Sequence, residues 1–132
     1  MSPHVVLIFS TDPLAGALLA AAVELSGYVP QFVRGGEQAR AALLRIRPAL
    51  VLIDCDHEES CSDEFIGPAL MTSARVLLFR SRRTMRDTTA LAERLDVRVI
   101  EMPADHESIT RILRDTMKPQ SGDRDRSSAR PL

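Results

Sequence analysis

Five short apolar runs, separated by segments of helical periodicity, constrain this chain more than any other feature. The runs are Val5–Phe9, Val29–Val33, Leu50–Ile53, Val76–Phe79 and Val97–Ile100. Most are unbroken rather than alternating, and rich in Val, Ile and Leu. Strands of that kind are covered on both faces, which predicts a mostly parallel sheet. Between them, apolar residues recur at helical spacing: Leu14, Leu18, Ala21, Ala22 and Leu25, then Ala39, Leu43 and Ile46. Phe65, Ile66, Ala69 and Leu70 mark a third, short helix, and Leu91 and Leu95 a fourth, starting at about Thr84. Ile109, Ile112, Leu113 and Met117 mark a fifth. Five strand–helix units in alternation predict an α/β fold with right-handed crossovers and helices on both sides of the sheet.

Local signals support these boundaries. Thr11-Asp12-Pro13 offers an N-cap oxygen followed by proline at the first helical position. Gly27 stands where a left-handed residue stops the first helix. Gly35-Gly36 opens the second helix and Pro48 ends it. Pro103 and Asp105 lead into the fifth. Residues 118–132 (KPQSGDRDRSSARPL) lack apolar patterning and are expected to be a disordered tail. The domain is expected over residues 1–117.

The chain has 132 residues, 45% apolar and 27% charged, enough for one core without disulfide or metal staples. Its net charge of −1 offers no general field for nucleic acid or an anionic membrane. With no Trp and one Tyr, stacking platforms for bases are not expected. No apolar run approaches a membrane span or a signal core, so a cytoplasmic location is expected. The two cysteines, Cys55 and Cys61, do not make a disulfide framework and fit a reducing compartment. The single lysine among 17 basic residues reads as genome composition.

In open parallel sheets, function sits beyond the carboxyl ends of the strands. Those ends are Ser10–Asp12, Asp54–His57, Arg80–Ser81 and Glu101–Pro103. With these residues in place, the chain resembles a bacterial response-regulator receiver domain across residues 4–117. The stretch RGGEQARAALLRIRPALVLID (34–54) carries most of the likeness. It is similar to the receiver segment running through the second helix and third strand to the phosphoacceptor. Phe9-Ser10-Thr11-Asp12-Pro13 resembles the end of the first strand and the acidic pocket, and Met102-Pro103 the Lys-Pro pair. The resemblance implies a flavodoxin-like receiver fold, a (βα)5 doubly wound sheet in the order 2-1-3-4-5. It places Asp54 at the phosphoacceptor position.

Several pocket positions depart from the pattern. The acidic pair falls on Ser10 and Thr11, and hydroxyls are poor ligands for a hard dication. The lysine position is Met102, the hydroxyl position is Arg80 with Ser81 beside it, and the aromatic-switch position is Val99. Phosphoryl transfer depends on positioning and charge stabilisation, so these losses remove the chemistry. The leading expectation is therefore a degenerate pseudo-receiver that signals by protein–protein contact, without phosphorylation or enzymatic activity. The second is a phosphorylation-competent receiver in a two-component phosphorelay, with Asp12 and Asp54 on Mg²⁺ and Ser81 as hydroxyl. A third is a small-ligand binder at the switch-point cleft. No cofactor is expected, except Mg²⁺ under the second reading.

Individual residues carry paired readings. Asp12 reads as a helix cap, or as a replacement metal carboxylate. Arg80 reads as a surface residue of the RSRR run (80–83), or as a guanidinium pairing with Asp54 where Mg²⁺ would otherwise sit. Cys55, His57 and Cys61 lie among six carboxylates in 54–64, but their spacing fits no structural zinc pattern. His57 and His106 are expected to flank the cleft, yet no nucleophile elbow accompanies them and Gly35-Gly36 is no phosphate loop. Arg82, Arg83 and Arg86, extended by Arg111 and Arg114, form a candidate docking face on the fourth helix, fifth strand and fifth helix. Its expected occupant is a histidine kinase, phosphotransfer or output protein, or a second copy in a homodimer.

Overall fold

A computed structural model describes residues 4–118 apart from Pro103. The expected tail, beyond Lys118, lies outside the described residues. The elements alternate throughout. The first half runs β1 (Val5–Phe9), α1 (Pro13–Leu25), β2 (Val29–Phe32), α2 (Ala39–Ile46) and β3 (Leu50–Asp54). The second half runs α3 (Asp63–Met71), β4 (Arg75–Arg80), α4 (Thr89–Leu95), β5 (Arg98–Glu101) and α5 (His106–Met117). All pairings are parallel, in the order β2-β1-β3-β4-β5. This is the expected flavodoxin-like receiver fold.

Side-chain alternation along each strand builds two cores. Leu7, Phe9, Val51, Ile53, Val76 and Leu78 face α2, α3 and α4. Val6, Ile8, Leu50, Leu52, Leu77 and Phe79 face α1 and α5. β3 is central and buried at all five residues, the last of them Asp54. A polar side chain thus ends the most buried strand, where it needs hydrogen-bond partners.

The punctuation of α1 is as expected. Asp12 has an extended backbone, its carboxylate accepts the Leu14 N–H at 3.0 Å, and Pro13 opens the helix. Gly27 follows Ser26 with a φ of 88°. Gly16 lets α1 approach the end of β1, since a Cβ there would stand 3.2 Å from the Ser10 side chain.

Two helix starts differ from expectation. α2 begins at Ala39, because Gly36 adopts a φ of 77° and the chain turns before entering the helix. Glu59, from the loop after β3, accepts the Ala39 N–H at 2.6 Å, so the acidic loop does more than meet solvent. Glu59→Ala is expected to cost about 1 kcal/mol, as lost caps do, and urea unfolding measures it. α4 begins at Thr89 instead of near Thr84. In the segment before it, Thr84 Oγ1 accepts the Ser81 N–H, Ser81 Oγ accepts the Arg83 N–H, and Asp87 accepts the Thr89 N–H. These local bonds give the backbone an alternative to helix. No helix among the described residues is long and apolar enough to cross a membrane.

Candidate functional site: the Asp54 cleft

A cleft of about 320 Å³ opens at the carboxyl ends of the strands. Thr11, Asp12, Asp54, Ser81 and Met102 line it, together with Asp56 and Arg83. Ser10 and Arg80, also expected at the pocket, do not line it; the Ser10 hydroxyl donates to the Asp12 carbonyl. Asp56 falls within the strand end read from the sequence but is not singled out there. His106 is not in the cleft but in a groove beside α5, and His57 is turned to Ser60, its Nδ1 2.7 Å from Ser60 Oγ.

Asp54 is 5% exposed, and both of its carboxylate oxygens accept hydrogen bonds. Its Oδ2 accepts the Thr11 N–H at 2.8 Å and the Thr11 hydroxyl at 2.6 Å. Its Oδ1 accepts the Asp56 N–H at 2.9 Å. A buried carboxylate is tolerated when its oxygens are satisfied in this way. Thr11 stands where the resemblance implies an acidic residue. Its backbone N–H and its hydroxyl both donate to Asp54.

Arg80 does not pair with Asp54. Asp54 lies in register with Phe79, whose side chain faces the α1–α5 side. Arg80 is the next residue, so its side chain leaves on the opposite face with Leu78. There its charge acts on Cys55 and Asp87. Among the described residues it forms no ion pair. Arg80 is half-buried on that face, so it is neither a partner of Asp54 nor an exposed surface residue.

Met102 is 6% exposed and belongs to the core beneath α1 and α5. Its N–H donates to the Arg80 carbonyl at 2.7 Å, continuing the β4–β5 pairing past the strand end. The lysine position is thus an apolar wall of the cleft. Val99 is half-buried against the opposite core.

Asp12 Oδ1 caps α1, Asp54 Oδ2 accepts two bonds from Thr11 and its Oδ1 accepts one from Asp56, so these two carboxylates are turned to N–H and O–H donors. Among the described residues no group of three or more His, Cys, Asp or Glu is placed to hold a metal. The same holds for the Cys55, His57 and Cys61 set.

The expected basic stripe is divided. Arg82 and Arg83 are both exposed, and Arg83 lines the cleft. Arg111 and Arg114 line a groove with Leu25, between α5 and the end of α1. Arg86 points inward, donating to the Cys55 carbonyl at 3.0 Å and the Cys61 carbonyl at 3.1 Å. It braces the β3–α3 loop, because the turn preceding α4 carries it back over the end of β3. Beneath it, Cys55 and Cys61 are both buried and free. The hydrogen bond from the Cys61 thiol holds the Cys55 thiol below the usual range, helped by the Thr88 hydroxyl. The same bond, with burial, pushes Cys61 up.

A parallel sheet in this order, with an aspartate closing its central strand in a cleft at the strand ends, defines the architecture of receiver domains. Among solved structures, the chain is similar to a response regulator from Thermotoga maritima, at 17% identity. The match covers 89% of this chain and 98% of that one, with a TM-score of 0.67. It is similar to chemotaxis protein CheY4 of Vibrio cholerae at 14% identity, over 87% and 99% of the two chains, with a TM-score of 0.69. It is also similar to HP1043, an orphan response regulator of H. pylori, at 12% identity, over 87% and 97%, with a TM-score of 0.69. At such identities the likeness is one of fold. No protein-family model matches the chain, and no curated protein matches it.

Proposed function

We propose that the chain is a pseudo-receiver: a signalling domain that works by contact with protein partners and has given up aspartyl phosphorylation. The observation that carries this reading is the engagement of Asp54. Attack on a phosphoryl group needs a carboxylate oxygen directed at the donor, and a cation beside it to take up charge. Here Oδ2 is covered by Thr11, and Met102 brings no charge to the cleft. What remains for signalling is surface. Arg83 at the cleft rim, with exposed Arg82 beside it in the chain, suits an acidic patch on an output protein or kinase inside a bacterial cell.

The second reading, a competent receiver, draws on one feature. Asp12, Asp54 and Asp56 line the same cleft with Ser81. If the Thr11 loop opened, these carboxylates would face a dication. Incubation with acetyl phosphate and Mg²⁺, followed by intact-mass measurement, separates the two. The pseudo-receiver stays at its own mass. A phosphoryl adduct that disappears in Asp54→Asn returns the chain to the competent class.

A further inference from the structure

Cys55 and Cys61 take no part in the Asp54 cleft, yet they are held against each other by several independent contacts. Cys55 and Cys61 are both fully buried in the same core cluster. Arg86 clamps both backbones, one guanidinium nitrogen on each cysteine carbonyl. The five residues between them fold back in two tight turns, the His57 N–H donating to the Asp54 carbonyl and the Cys61 N–H to the His57 carbonyl. The Cys55 sulfur also lies 3.3 Å from Thr88 Oγ1.

Buried cysteines usually serve as small apolar residues and are chemically inert. Two features set this pair apart. The two residues share one buried cluster and one guanidinium bridges their carbonyls, so a thiol oxidised here has the other cysteine as its neighbour. And the groups covering them, Arg86 and Thr88, come from the turn segment between β4 and α4, not from a packed helix. Segments held by a few local bonds open at lower cost than the core. A small oxidant can enter when this one lifts.

We infer that Cys55 and Cys61, brought together beneath Arg86 and Thr88, form a reversible dithiol–disulfide site oxidised by hydrogen peroxide. The Cys55 thiolate attacks one peroxide oxygen. The O–O bond breaks, a sulfenic acid forms on Cys55, and the departing hydroxide takes up the Cys61 proton as water. The Cys61 thiolate then attacks the Cys55 sulfur. The S–S bond forms, the S–O bond breaks, and the departing hydroxide takes up a solvent proton and leaves as a second water. In sum the two thiols lose two protons and two electrons, and one peroxide becomes two waters. A low-molecular-weight dithiol reverses the change by exchange. The new bond takes the Cys55 sulfur away from Thr88. The segment bearing Arg82 and Arg83 then loses one of its anchors, which couples oxidation to the rim of the cleft.

The test is mass spectrometry of the full chain after treatment with hydrogen peroxide, under non-reducing conditions. The wild type is expected to lose two hydrogens, to give a peptide cross-linked between Cys55 and Cys61, and to recover both thiols in dithiothreitol. Cys61→Ser should stop at a sulfenic acid on Cys55 that dimedone traps. Arg86→Ala should oxidise severalfold faster, because the cover is loosened. The inference is overturned if both thiols of the wild type stay reduced while free cysteine in the same solution is consumed. It is equally overturned if the cysteines cross-link only between molecules. Neither result depends on whether Asp54 accepts phosphoryl groups.

Discussion

Arg86→Ala is expected to lower the free energy of unfolding by about 2–4 kcal/mol. The guanidinium donates to two carbonyls that end or follow buried segments, those of Cys55 and Cys61. A hydrogen bond from a charged donor contributes about 1.5–3 kcal/mol, and a stranded buried carbonyl costs about 1–3 kcal/mol. The sum is discounted because Arg86 is only half-buried and water can replace part of its role. Arg86→Lys should recover less than half of the loss, since an ammonium cannot span both acceptors as a planar fork does. Urea unfolding with an unchanged denaturant slope measures both variants. A loss below about 0.5 kcal/mol, the range of ordinary surface substitutions, would show that the guanidinium idles at the surface.

Thr11→Val is expected to cost about 1.5–3 kcal/mol near neutral pH. The substitution keeps the shape and β-branching of the side chain but removes the hydroxyl on Asp54 Oδ2. A hydrogen bond to an ionised group is among the stronger ones, and its loss leaves Oδ2 of a buried residue with the Thr11 N–H alone. A double-mutant cycle isolates the interaction. In an Asp54→Ala background the same Thr11→Val change should cost little. Equal costs in the two backgrounds would mean that Thr11 acts through packing alone, and that Asp54 is free to react.

The parallel sheet was open to sequence reading because β3 is apolar to its last residue but one, and α1 because Asp12 and Pro13 mark its start and Gly27 its end; the strand order came from the likeness to receivers. The start of α4 was missed for a local reason. Leu91 and Leu95 repeat at helical spacing, but Ser81 and Thr84 fold the segment into a local turn and Asp87 captures the Thr89 N–H that a longer helix would have needed.

The opposed faces of Arg80 and Asp54 were legible in principle. Phe79 pairs with Asp54, so strand alternation alone sends Arg80 to the other side. That argument needs the register, and the register is a tertiary fact. The contacts of Thr11 with Asp54, of Glu59 with Ala39 and of Arg86 with Cys55 and Cys61 join residues 43, 20, 31 and 25 apart in the chain. No local spacing announces them. The residues of the cleft could be found from the ends of the runs, but what they do to one another could not.

That Asp54 is spent on Thr11 and Asp56 is the centre of this account, and a backbone NMR titration with Mg²⁺, then with beryllofluoride as a phosphoryl mimic, tests it most directly. The account predicts that the amides of Thr11, Asp54, Asp56 and Ser81 stay in place through high millimolar Mg²⁺ and after the mimic is added. Saturable shifts gathered on those amides and spreading to the segment before α4 would contradict it, and would make the chain a working phosphoacceptor.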